Sequence, residues 1–193
     1  MRSLLHLRSD ARATAVTEFV IVAPLFLALV FGILEITLQL YYATAAEKAA
    51  QLGARLAVVV NPNGAVPAIN DRADPEDSGL WGLPCYRDPD PCAGFGDVVC
   101  TGTACGGGFD LLLERMQAIL PTITAANVTI RYSYVRLGFA GGQAFPAVTL
   151  TLSGLTWPAG PFAAVRGLLG GPTKYDATMP DITATLTGED LAT

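Results

Sequence analysis

Histidine is all but missing from this sequence: its 193 residues include one, His6. A Ser/His/Asp or Cys/His device needs an imidazole to take and return a proton, so past the first few residues the chain lacks that base. Charge is scarce too, at 15% of residues against 51% hydrophobic, with a mean hydropathy of +0.42. That is oily for a soluble domain. No P-loop and no G-x-G-x-x-G fingerprint is present, and Gly106-Gly107-Gly108 has neither a following lysine nor an evident preceding strand. The acids show no EF-hand spacing and read as a solvated loop. These absences argue against an enzyme and leave no cofactor or metal to expect.

What charge there is, is unevenly spread. Residues 1–13 carry Arg2, Arg8 and Arg12 against Asp10, a local +2 that leaves −7 for the rest of a chain of formal charge −5. Within residues 71–97 lie Asp71, Asp74, Glu76, Asp77, Asp88, Asp90 and Asp97 against two arginines. Between head and body, residues 19–34 are uncharged and predominantly apolar. A basic head, an apolar span and an acidic body fit the positive-inside rule, with the N-terminus cytoplasmic and the body outside. An acidic body repels phosphate, so nucleic acid is not an expected partner.

The four cysteines are Cys85, Cys92, Cys100 and Cys105, all in a Gly/Pro/Asp-rich stretch. An even number in an exported chain reads as two disulfides, and three pairings are open. Zinc is the competing reading, but there is no C-x-x-C pair and His6 lies on the other side of the membrane.

Apolar periodicity extends well past the uncharged run. Ala45, Ala49, Leu52, Leu56 and Val59 recur in steps of four and three, while Glu47, Gln51 and Arg55 take another face with Lys48 beside them. Asn61-Pro62-Asn63-Gly64 then stops the pattern. The spacing predicts one helix over residues 14–60, roughly 70 Å at 1.5 Å per residue, more than twice the ~30 Å hydrocarbon thickness. Its second half must therefore leave the bilayer and needs a partner for its stripe. Pro24 and Gly32 predict a kink or an unwound turn. A cleaved secretory signal is the rival reading, with Ala43-Thr44-Ala45 as its cut site, but its apolar segment is about 7–15 residues and no breaker precedes that site.

The segment "ATAVTEFVIVAPLFLALVFGILEITLQLYYATAAEKAAQLGARLAVV" resembles the N-terminal signature of TadE-like proteins, minor pilins or pseudopilins of the tight-adherence (Tad) branch of type IV pilus systems. The matching elements are Glu18-Phe19, Pro24, Phe31-Gly32-Ile33-Leu34-Glu35 and Gly53-Ala54-Arg55, and they cover about the first 60 residues. The resemblance implies cleavage by a prepilin peptidase between Ala13 and Thr14, with alanine standing where the family usually has glycine. It also implies assembly through Glu18 and Phe19, with Glu18 meeting the α-amine of a neighbouring subunit. Carboxylate and ammonium in an apolar bundle attract strongly and are costly apart, so such a pair selects one stagger. Glu35, 17 residues on and about 26 Å along the helix, is expected at the opposite interface, touching headgroups and water. The implied partners are the inner membrane, other Tad pilins or pseudopilins, the prepilin peptidase and the Tad assembly platform. The D-x-S-x-S metal motif carried by some larger Tad relatives is absent.

Beyond the long helix, residues 61–108 read as a disulfide-bonded loop region and residues 109–193 as a helix with an antiparallel sheet. Asp110 is expected to cap a helix over residues 111–120, ended by Pro121. Alternation predicts strands at Val128, Ile130, Tyr132 and Tyr134, at Val148, Leu150 and Leu152, and at Ile182, Ala184 and Leu186, with Gly141-Gly142 turning the first into the second. Residues 162–169 predict a short helical turn closed by Gly170-Gly171-Pro172. The expected architecture is α+β and pilin-like, a spine helix packed on a small sheet. Two functions follow. One is a structural pseudopilin built into or priming a pilus, held in a bacterial inner membrane by a single pass or incorporated in the extracellular fibre. The other is an unprocessed, permanently anchored periplasmic binding or adhesion module, with specificity in the loops around the cysteines.

Overall fold

The computed structural model describes residues 11–60, 80–92, 96–141, 145–171 and 178–188. The basic residues before position 11, the stop at 61–64, the acids at 71–77, Gly142 and Pro172 lie outside the described residues. Helix α1 (Ala11–Val60) is a single element of 50 residues, about 75 Å long. It is helical straight through Pro24 and Gly32, so the unwound turn is not adopted. The proline forfeits one backbone bond, and the helical turns on either side hold the rest of the ladder.

The chain forms two compact units, Met1–Tyr41 with Pro158–Asp176, and Tyr42–Trp157 with Ala177–Thr193. The second holds β1 (Val98–Thr101), a 3-10 turn (Gly102–Cys105), α2 (Phe109–Gln117), a second 3-10 turn (Ala125–Asn127), β2 (Val128–Leu137), β3 (Phe145–Leu152) and β4 (Ile182–Thr187). The strands pair in the order β1-β2-β3-β4, all antiparallel. Their register aligns Cys100, Ile130, Leu150 and Ala184 in one row, Val98, Tyr132, Val148 and Leu186 in another, and Val128, Leu152 and Ile182 in a third; these rows lie on the inner face. Thr101, Thr129, Thr151 and Thr183 form a row on the outer face. Alternation therefore set the faces correctly, as a period of two requires.

The α+β class holds, with one strand more than expected. β1 is a four-residue run, Val-Val-Cys-Thr, inside the glycine- and acid-rich region, too short for alternation to register. It acquires its identity by pairing with residues 129–132 of β2.

The spine packs on the sheet by a stripe that keeps Ala45 and Ala49 of the expected one and otherwise shifts from it. Ala46, Ala49, Ala50, Ala54 and Ala57 are fully buried, Leu52 and Leu56 are half-buried and Val59 is exposed. Small side chains won because the helix approaches closely. A Cβ on Gly53 would meet Met116 Sδ at 2.6 Å and Leu150 Cδ1 at 2.7 Å. The polar face of Glu47, Gln51 and Arg55 is exposed, as the spacing indicated. α2 supplies Phe109, Leu112 and Met116 to the same core. Asp110 does not cap it: the N-cap is Gly108, because the buried Phe109 belongs to the first turn and draws the start back. Asp110 lies inside that turn, where its charge still favours the helix dipole.

The end of α1 is tied to the sheet by one hydrogen bond. The buried Tyr132 hydroxyl donates to the Ala57 carbonyl at 2.9 Å. Ala57 is among the last four helical residues, whose carbonyls have no intrahelical donor, so two groups that would each be costly unpaired satisfy one another. Tyr132→Phe should destabilise the body by about 1–3 kcal/mol. Gly53→Val should cost a similar ~1–3 kcal/mol by over-packing, and Gly53→Ala less, since the atoms it meets are ends of flexible side chains. Denaturant midpoints of the detergent-solubilised chain check both; wild-type midpoints would contradict the close packing.

Candidate functional site

The first unit is built on α1 up to Tyr41. Its apolar side chains face outwards on nearly every side: Phe19, Ile21 and Leu25 are each about 70% exposed. Water disfavours such a surface and lipid does not, so this exposure suits a membrane-spanning segment. Among the described residues this is the one helix long and apolar enough to cross a membrane. Ala13 and Thr14 lie in its first turn. Glu18 is exposed among Val16, Phe19, Val20, Ile21 and Val22, and among the described residues it makes no hydrogen bond or ion pair. Phe19 lies beside it, equally open.

Glu35 is placed quite differently from a headgroup contact. It is 7% exposed, seated against the N-terminus of α3 (Pro161–Leu168). Its Oε2 accepts the Phe162 N–H at 3.4 Å, long for a hydrogen bond but favoured by the charge and the helix dipole. Oε1 meets no donor. Any Cβ on Gly160 would meet this carboxylate, so a larger residue at the N-cap would displace the Glu35 side chain from its seat. Phe162 also meets Phe31 edge-to-face, ring centroids 6.4 Å apart, and lies over the bare backbone of Gly32. An acid, a kink glycine and a helical turn are each legible separately along the chain. Their meeting across 127 positions has no local signature.

The second candidate region is the stapled loop of the body. Cys85–Cys92 and Cys100–Cys105 are the disulfides, of the three pairings the one that joins neighbours. Each closes a loop of only a few residues, worth about 2 kcal/mol in unfolded-state entropy. The first loop is docked on the end of β2. Cys85 N–H donates to Gly138 O and Ala140 N–H to Leu83 O. Arg136 donates to the Cys85 and Arg87 carbonyls and lies 3.6 Å from Asp90. Asp90 in turn accepts the Tyr134 hydroxyl at 2.9 Å and the Cys92 N–H at 2.9 Å. Among the described residues no cluster of His, Cys, Asp or Glu is arranged to hold a metal ion.

Compared with known proteins, residues 13–55 match the family model for TadE-like proteins. The N-terminal segment is TadE-like. The match runs from Ala13 to Arg55, hence over Glu18, Phe19, Pro24, Gly32, Glu35 and Gly53, and likens this segment to TadE-like proteins of Tad pilus systems. No curated protein and no solved structure matches the chain. The body is thus characterised by its own geometry.

Tyr134 gives a pH handle on the docked loop. Burial, then the hydrogen bond and negative charge of Asp90, push its phenol from 10.0 up to about 12, against the opposing pull of Arg136. A raised folded pKa means that the folded state holds the proton more tightly. The stability from this contact is therefore whole below about pH 10 and falls as pH rises toward 12. Phenolate absorbance of wild type against Tyr134→Phe should differ only in the upper part of that window. A difference centred at the ordinary tyrosine pKa would show the loop undocked.

Proposed function

We propose that the chain is a minor pilin or pseudopilin that assembles into, or primes, a Tad-type pilus used for surface attachment. One coincidence carries this reading: the TadE-like match falls on α1, which is too long for a bilayer and is packed in its later turns by a disulfide-bonded body. A bare anchor has no use for such a spine. In this reading residues up to about Leu40 cross the inner membrane with the N-terminus cytoplasmic, and the body is periplasmic until it is drawn into the fibre. A prepilin peptidase cuts between Ala13 and Thr14, freeing an α-amine with an ordinary pKa near 8, cationic at neutral pH. Glu18, exposed in apolar surroundings without an intrachain partner among the described residues, suits the amine of a neighbouring copy or sibling. Sibling pilins and the Tad assembly platform are then its partners. The loops stapled by Cys85–Cys92 and Cys100–Cys105 present the surface most suited to contact with a target.

A second reading rests on Ala13, alanine where a prepilin peptidase usually meets glycine: a permanently anchored, unprocessed binding module. The mature N-terminus separates the two. Mass-spectrometric sequencing should find it at Thr14, and an intact leader would favour the second reading. Glu18→Ala should leave membrane insertion unchanged and abolish co-purification with sibling pilins. Undiminished co-assembly of that variant would remove Glu18 from the docking role.

A further inference from the structure

Between β3 and β4 the chain forms α3, whose outer surface has no covering among the described residues: Leu168 is 88% exposed and Leu169 83%. We infer that α3 is a second membrane element, a short helix embedded in the periplasmic leaflet beside α1 with Leu168 and Leu169 in the acyl chains. This rests on reading α1 as the membrane span.

The seat of α3 fixes its surroundings. Phe162 touches Phe31 and Gly32, and the N-terminus of α3 rests on Glu35. Phe31 belongs to the uncharged run, and Glu35 is separated from Phe19 by about 24 Å of helix, close to the far side of a ~30 Å hydrocarbon layer. A helix in contact with those residues shares their solvent. Two adjacent leucines this exposed would be unfavourable in water and are at ease in lipid.

The backbone agrees. Polypeptide at membrane depth must satisfy its own N–H and C=O groups. At the C-terminus Gly170 has φ +79, its N–H donates to Gly167 O, and Gly171 N–H donates to Arg166 O at 2.8 Å. That paired 6→1 and 5→2 arrangement closes the helix without water, and glycine is required at its left-handed position. At the N-terminus Pro161 has no N–H to satisfy, and the Phe162 N–H goes to Glu35. A charged side chain in a span is costly unless it is given a task, and Glu35 has one here. Arg166, in the last turn, has the reach to bring its guanidinium to headgroup phosphates.

All four native cysteines are in disulfides, so a cysteine introduced at Leu168 offers a single site for a spin label in the full-length protein. In nanodiscs, a label at Leu168→Cys should collide several-fold more often with lipid-soluble oxygen than with a water-soluble nickel chelate. A label at the exposed Asp110→Cys of the body should show the reverse. Adding Gly160→Val, which drives a side chain into Glu35, should shift the Leu168 label toward the nickel reagent while the protein stays in the membrane. Preference for nickel at Leu168 in the otherwise wild-type chain would overturn the inference, as would shielding from both reagents, which means that protein covers α3. Alkaline carbonate washing tests the reading beneath it. Release of the chain from native membranes removes the span and α3 together, whereas a retained chain with a water-exposed label removes α3 alone.

Discussion

Along α1 the apolar surface narrows from nearly the whole circumference to a single stripe of small residues, and the backbone continues unbroken through the change. Up to about Leu40 almost every large side chain faces outwards, and from Ala45 onwards the buried positions recur as neighbouring pairs every four residues. The first pattern suits a medium without hydrogen bonds to offer, and the second suits a protein wall on one side and water on the other. The rest of the structure answers to that transition. The sheet exists to cover the stripe, Gly53 lets Met116 and Leu150 come close enough to do so, and Tyr132 accounts for a carbonyl that the end of the helix leaves open.

The body is otherwise modest, and its loops would be loose without cross-links. Cys85–Cys92 closes the first loop on itself, and backbone bonds to Gly138 and Ala140 with the Arg136–Asp90–Tyr134 contacts hold residues 80–92 against the end of β2. This places loop surface on a fixed scaffold. The outer face of the sheet, by contrast, is a field of threonines and serves mainly to stay solvated.

Much of this was legible in the sequence because it is written in local periods. The long helix, the three longer strands, their hairpin and the inward residues all follow from steps of two, three and four. What escaped detection was set by contacts distant in sequence. β1 is too short to announce itself and is made a strand by β2. Of the expected stripe, Ala45 and Ala49 are buried, while Leu52 and Leu56 are only half-buried and Val59 is exposed, because close approach favours the small residues at Ala46, Ala50, Ala54 and Ala57. Glu35 was expected among headgroups because nothing near it in sequence reveals that α3 will come to rest there. The cysteine pairing was open for the same reason, since three closures are equally consistent with spacing alone.

The central claim is that one helix passes from lipid into protein without a break. Single cysteines placed along α1 in native membranes, probed with a membrane-impermeant maleimide, test it most directly. The account predicts uniform shielding between Phe19 and Leu40, then labelling at Glu47, Gln51 and Arg55 with protection at Ala46, Ala50 and Ala54. A four-residue rhythm of labelling already present between Phe19 and Leu40 would place that half in water and contradict the account.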